Sequence, residues 1–224
     1  MTQWIDRSLG VTLKDAQSEF KTRYALHALG MFVVTTIAIM MFSTAGETLS
    51  NGTLAGILWI IVFFTAMAGL GRSFVAEEER GTALLLRLLA PSEVVYAGKL
   101  LYNVMMLVSL TTVTAAAFVL VMNVQVKTFS LFALTIICGS LGLASSSTIV
   151  AAIIARARAK GALYAVLSFP LLVPWVLLVV DATRMSFDGI PLAGEGLNDV
   201  LLLLAYTGVV IGASSIVFDI VWKD

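Results

Sequence analysis

The 224-residue chain is 59% hydrophobic and 12% charged, with a mean hydropathy of +0.98. Soluble domains carry roughly a quarter charged residues, so this composition excludes an ordinary water-soluble fold. The formal net charge of zero gives no indication of a nucleic-acid partner, and the single cysteine, Cys138, excludes an intrachain disulfide.

Residues 1–23 precede the first apolar run and carry charges of both signs, which is unlike a cleavable signal peptide. Apolar side chains recur there at helical spacing, so we predict an amphipathic helix in the cytoplasmic interface of the membrane. The pattern leaves open whether this helix only anchors the first span or also contacts a partner. Its apolar arc consists of Trp4, Ile5, Leu9, Leu13, Ala16 and Phe20, and its polar arc of Arg7, Lys14, Asp15, Ser18 and Lys21.

Six apolar runs of bilayer length follow, and Asp219 is the one charged residue within them. Each run must be a helix, because an open strand would leave backbone groups unpaired in lipid. We therefore predict an all-α membrane protein with one transmembrane domain over residues 1–224. The predicted spans are 24–44, 54–70, 100–122, 129–155, 162–180 and 200–221.

Lysine and arginine are unevenly divided between the two sets of connecting segments. One set carries Arg7, Lys14, Lys21, Arg23, Arg72, Arg80, Arg87, Lys99, Arg156, Arg158, Lys160 and Lys223, and the other only Lys127 and Arg184. The positive-inside rule then predicts that both termini are cytoplasmic. The longest outer connection, about 181–199, combines acidic residues with glycine and Pro191, so we predict a short ordered loop there.

The cytoplasmic connection between the second and third spans, with its segment 76–91, is long enough to contain a separate short helix. A charged run comes first, a glycine interrupts it, a threonine can cap a new helix, and Pro91 ends that helix. Such a short apolar helix needs a surface on which to bury its leucines. The charged run is also typical of a solvated helix end, and the alternative is a docking element for a soluble partner. The candidate docking residues are Glu77, Glu78, Glu79, Arg80, Gly81, Thr82, Leu85 and Arg87.

Within the spans, Pro170 and Pro174 remove backbone donors and predict a kink in the fifth helix. Small residues and a serine cluster in the fourth span predict close helix packing, with a dimer interface or a polar pathway as alternatives. His27 is the one histidine and a weak candidate haem ligand, since a lone interfacial histidine is usually a snorkelling polar residue. Asp219 lies close enough to the cytoplasmic boundary to be solvated.

No run of the form G-x-x-x-x-G-K-[ST] occurs, so Gly98-Lys99 does not belong to a phosphate-binding loop. The hydrolase motifs HExxH and GxSxG do not occur either. The sequence therefore predicts a protein that is not itself an enzyme, without a metal site or a bound cofactor.

The chain resembles the integral membrane B subunit of the haem exporter in bacterial cytochrome c maturation. The resemblance covers about residues 55–178 and rests on the order and spacing of several motifs. They are the acidic run 77–79, Gly81-Thr82, the leucines 84–86, Leu88–Pro91, Ala97–Lys99, the basic turn 156–161 and the Phe-Pro-Leu-Leu-Val-Pro run 169–174.

This resemblance implies a permease of the ABC-2 type in the bacterial inner membrane, paired as a homodimer with two copies of a separate ATPase subunit. It further implies a haem-handling C subunit and a small membrane D subunit as partners, ATP on the ATPase, and haem as the possible substrate. In such families the segment between spans two and three is a coupling helix, which maps onto residues 77–89. Two alternatives stay open: an ABC-2 permease for a lipid, drug or glycan, or a scaffold that couples the ATPase to a haem-binding subunit without transport.

Overall fold

The computed structural model describes residues 2–22, 24–45, 47–70, 81, 86, 88, 90–155 and 160–223, and over them the regular structure is helical. It consists of α1 (Thr2–Thr22), α2 (Tyr24–Ser43), α3 (Asn51–Leu70), α4 (Ser92–Val121), α5 (Phe129–Ala155), α6 (Lys160–Asp188), a π-helical turn (Leu192–Gly196) and α7 (Leu197–Lys223). The side chains of residues 161–170 lie outside the described part.

Four of the described helices are long and apolar enough to cross a membrane. These stretches are Asn51–Gly69, Ser92–Val121, Phe129–Ile154 and Leu192–Trp222, and His27–Ser43 is a shorter apolar helix. The all-helical class and several membrane-length helices are thus present, whereas the count of six spans stays a prediction. The remaining predicted span, 162–180, lies within α6.

The third predicted span, 100–122, is part of a longer helix, because α4 begins at Ser92. Pro91 occupies the position before this helix, and its carbonyl accepts hydrogen bonds from the N–H groups of Val94 and Val95. The proline thus ends the preceding segment and starts α4. Residues 92–99 were predicted to be part of a connection because their polar side chains lower the mean hydropathy. A helix can nevertheless form there when those polar side chains have hydrogen-bond or ion-pair partners.

The predicted outer loop at 181–199 is wrong at both ends. Its first eight residues continue α6 to Asp188, and its last three belong to α7, which begins at Leu197. Arg184 explains the extension: its Nε donates to Asp181 Oδ1 at 2.8 Å, and its Nη1 donates to Asp188 Oδ2 at 3.2 Å. Such i,i+3 and i,i+4 pairs support a helix end that hydropathy does not detect. The chain turns only at Gly189, which has a φ of +89°.

Helix α5 is the centre of the bundle and packs against α3, α4, α6 and α7. Beside it, Trp59 on α3 and Trp175 on α6 meet edge to face with ring centroids 5.3 Å apart. Trp59 Nε1 donates to Thr183 Oγ1 at 2.8 Å, and at one end of the two helices Asn51 Nδ2 donates to Asp188 Oδ1 at 2.6 Å. Both bonds join α3 to α6, so this pair is fixed in the interior and at its end.

Gly139 on α5 generates the first prediction, because a Cβ there would lie 2.5 Å from Trp59 and 3.0 Å from Val179. Gly139→Ala is expected to lower the free energy of unfolding by about 1–3 kcal/mol through overpacking. Gly208→Ala on α7 is the control, since its new Cβ would meet nothing within 4 Å. Denaturation in mild detergent, followed by tryptophan fluorescence, measures both. Equal stability of the two variants would contradict the packing described.

Candidate functional site

The predicted docking segment is only partly covered by the described residues. Gly81 lies exposed in a turn with a φ of +69°, a conformation that favours glycine. Helical conformation is present at Leu86 and Leu88. The other docking candidates, Glu77, Glu78, Glu79, Arg80, Thr82, Leu85 and Arg87, lie outside the described residues.

Leu86 and Leu88 occupy opposite environments although they are two residues apart. Leu86 is half-buried and packs against the cluster that contains Tyr96, Ile154 and Phe218, whereas 78% of Leu88 is exposed. The Ala90 N–H donates to the Leu86 carbonyl at 3.1 Å, as in a helical turn. This segment therefore packs on the bundle through Leu86, whereas Leu88 points away from the bundle. Sequence reasoning missed Leu88, because composition alone does not indicate which leucine faces the bundle.

The first two turns of α4, Ser92–Lys99, follow this segment directly, and we call them the base of α4. At its first residue, Ser92 Oγ donates to Asp219 Oδ1 on α7. Asp219 is half-buried there, so it links two helices instead of only facing solvent, as the sequence suggested. Next to this bond the Tyr96 and Phe218 rings lie 5.3 Å apart.

At the other end of the base of α4, Lys99 is 0% exposed and its Nζ lies 2.9 Å from Asp15 Oδ2 on α1. Counting Lys99 among the charges of a cytoplasmic connection was therefore wrong, because it is an interior cation of a helix. The structural use of the 98–99 pair, within α4 and against α1, was not anticipated. The sequence did contain a signal for this pairing: Asp15 follows Val11 by four residues and therefore lies on the same, buried side of α1.

Helix α1 packs on α4 through a face that the predicted apolar arc does not include. Ser8, Val11 and Thr12 are buried, and Thr12 Oγ1 donates to the Gly98 carbonyl at 2.9 Å. Four residues of the apolar arc are exposed, with exposures of 43–60% at Trp4, Ile5, Leu9 and Leu13. The helix thus has an inner face on this chain and an outer apolar face available to a membrane interface.

The intramembrane candidates lie apart from the base of α4. His27 is exposed near the start of α2, and Pro174 is exposed on α6. Helix α6 runs without interruption from Lys160 to Asp188 and includes both Pro170 and Pro174. Among the described residues, no group of three or more His, Cys, Asp or Glu side chains could hold a metal ion.

The serine cluster on α5 is buried within this chain. Ser145 and Ser146 hydroxyls both donate to the Gly142 carbonyl at 2.9 Å, and Ser146 also pairs with the Tyr206 hydroxyl on α7 at 2.7 Å. Of the roles left open by the sequence, these contacts favour packing. An apolar groove of about 290 Å³ lies elsewhere, between α3 and α6, and is lined by Trp59 and Val176 among others.

Two comparisons with known proteins match most of the chain. A family model described as "CcmB protein" matches residues 7–217. The chain is also 26% identical over 184 residues to "Heme exporter protein B" of Bradyrhizobium diazoefficiens, an alignment that covers 81% of this chain and 82% of that protein.

The opposite environments of Leu86 and Leu88 generate the second prediction. Leu86→Ala is expected to lower the free energy of unfolding by about 1–2 kcal/mol, since a half-buried leucine loses packing on truncation. Leu88→Ala is expected to change it by less than about 0.5 kcal/mol, as is usual for an exposed side chain. Denaturation of the isolated chain in detergent distinguishes the two variants. A larger loss at Leu88 than at Leu86 would reverse the assignment of the two faces.

Proposed function

This chain belongs to the CcmB protein family, and we propose that it is the membrane permease subunit of an ATP-driven haem exporter acting in cytochrome c maturation. The family match over residues 7–217 is the observation that carries the proposal, because it includes every apolar helix from α2 to α6 and most of α7. The relative from Bradyrhizobium diazoefficiens bears the name of a haem exporter subunit, which supports the same activity here. The chain is a multi-pass membrane protein.

The proposed role is to convert ATP hydrolysis by a separate subunit into movement of the helices. The sequence lacks a phosphate-binding loop, so the nucleotide would be bound by a partner ATPase. We assign residues 77–89 as the segment that receives the ATPase. An outward-facing Leu88 beside the inward-facing Leu86 supports this assignment, since a large exposed apolar side chain outside the spans is available to a partner.

The proposed assembly contains two copies of this chain and two of the ATPase, in the bacterial inner membrane. A haem-handling C subunit and a small D subunit complete it. Both termini of this chain would be cytoplasmic, which puts the base of α4, Leu88 and Asp219 on the side where ATP is available. The distribution of lysine and arginine supports this orientation.

Removal of the contacts to the ATPase is the third prediction. Leu88→Asp is expected to weaken ATPase association about tenfold or more, because charge at the centre of an apolar contact removes a hot-spot interaction. Replacement of Glu77, Glu78 and Glu79 by alanine is expected to weaken it as well. Affinity purification in mild detergent, followed by ATPase assay of the complex, measures both effects.

The control for this experiment is Glu47→Ala, which removes an exposed carboxylate from the opposite end of the bundle. Unchanged co-purification and unchanged stimulated ATPase activity in both coupling variants would overturn the assignment of the segment. If the unmodified chain retains no ATPase and no haem-binding subunit, the proposed function itself is wrong.

Reconstitution with the partner subunits gives the fourth prediction and separates export from scaffolding. We expect ATP-dependent haem transfer in vesicles and no transfer with a hydrolysis-deficient ATPase. Haem that reaches the far side of the bilayer supports export. Haem released from the neighbouring subunit without crossing supports the scaffold. The sequence favours the scaffold in one respect, because it contains no recognisable set of haem ligands besides His27. Haem handling that does not depend on ATP would overturn both forms.

A further inference from the structure

The base of α4 is tied to two helices that are distant from it in sequence. Its first residue, Ser92, donates a hydrogen bond to Asp219 on α7, and its last residue, Lys99, forms an ion pair with Asp15 on α1. One residue, Pro91, separates it from Ala90, at the end of the segment that contains Leu88. A displacement of that segment is therefore passed to the base of α4 through the chain itself.

The Lys99–Asp15 pair is the more demanding of these two ties. Lys99 is 0% exposed and the Asp15 side chain only 10%, with 2.9 Å between Nζ and Oδ2. Separation of the two groups without access to water would leave a buried charge uncompensated, which is strongly unfavourable. The pair thus confines α1 to one position along α4. Lys14, whose Nζ lies 3.6 Å from Asp15 Oδ1, is more exposed and less constrained.

Close backbone contact beside the ion pair fixes the same position. Thr12 Oγ1 donates to the Gly98 carbonyl at 2.9 Å, and a Cβ on Gly98 would lie 2.7 Å from both the Ser8 carbonyl oxygen and Val11 Cβ. No side chain fits between the two helices at Gly98 without a shift of α1. Charge pairing and backbone contact together make α1 and the base of α4 one packed unit.

Helix α1 has no short covalent route to the docking segment, because α2 and α3 lie between them in the chain. Among the residues that the structure describes, the contacts with the base of α4 connect the two directly. We propose that the Asp15–Lys99 ion pair is a positioning interaction that makes α1 move with the base of α4, so that motion of the docking segment is passed to α1 as well as to the spans. This inference rests on the proposed function, in which an ATPase moves that segment. Asp15 and Lys99 are positioning residues that act through α1.

The docking of α1 is tested first without any partner. Ser8→Cys, in a Cys138→Ala background, reports on the α1–α4 contact, because Ser8 is buried beneath Gly98. In inverted membrane vesicles, a membrane-impermeant maleimide is expected to label this cysteine about tenfold faster after Asp15→Asn or Lys99→Met, since loss of the pair favours local opening. Gln17→Cys on the exposed side of α1 is the matched control and should label equally in every background. Equal labelling of Ser8→Cys with and without the pair would overturn the inference.

Coupling is then tested in the complete complex. Asp15→Asn and Lys99→Met are expected to keep ATPase co-purification but to lower haem transferred per ATP hydrolysed about tenfold. The double exchange Asp15→Lys with Lys99→Asp restores the opposite charges and is expected to recover most of this ratio. Asp6→Asn, an exposed carboxylate on the same helix, should leave it unchanged.

The rescue distinguishes positioning from general damage to the fold. A double exchange no better than the single variants, or single variants with unaltered transfer per ATP, would overturn the inference. Failure of the proposed function has a different signature: the unmodified chain would then lack ATPase and ATP-dependent haem transfer, while the maleimide labelling would still report whether the ion pair docks α1.

Discussion

The constraint on which the structure depends is that hydrocarbon cannot replace water as a hydrogen-bond partner. Several hydroxyls within the spans accordingly bond to their own helices, as Ser140 does to the Ile136 carbonyl at 2.7 Å and Thr148 to the Ala144 carbonyl at 2.6 Å. Asn103 then donates to Thr148 Oγ1 and links α4 to α5. These local bonds let a polar sequence stretch occupy the centre of the bundle at little cost.

The same constraint makes close packing, not polarity, the main interaction between the spans. Lipid is as apolar as leucine, so helices associate through contact area and small residues that allow it. Gly142 shows this directly, because a Cβ there would lie 2.7 Å from the Trp175 ring. The indole of Trp175 is held in turn by a 2.9 Å hydrogen bond to the Gly139 carbonyl. Small residues of α5 and large aromatic residues of its neighbours therefore pack against each other in matched pairs.

Hydropathy predicts where a helix enters lipid but not where the helix begins or ends. The predicted span 129–155 covers the same residues as α5, whereas α4 and α6 extend eight residues beyond spans 100–122 and 162–180. Both extensions are polar and are held by specific partners, Asp15 and Asp219 for one and internal ion pairs for the other. The partners of the α4 extension are 84 and 127 residues away in sequence, so no local window could have detected them. The pairs in α6 are local, but they consist of charged residues, which a hydropathy window counts against a helix in lipid. Likewise, the sequence predicted a short helix before Pro91 but not the outward direction of Leu88.

The role proposed for this chain needs a rigid interior and a defined point at which force enters, and different parts of the chain meet these two requirements. Within the bilayer, the interlocked tryptophans and glycines resist deformation because well-packed interiors have few voids to accommodate it. At the predicted cytoplasmic end, specific polar contacts are added to the packing. An ion pair or a hydrogen bond has a defined partner and a steep distance dependence, so it transmits a displacement in a fixed register, whereas a purely apolar contact could slide. The base of α4 has such contacts at both of its ends, with Asp219 and with Asp15, and this suits the proposed role of receiving motion from an ATPase.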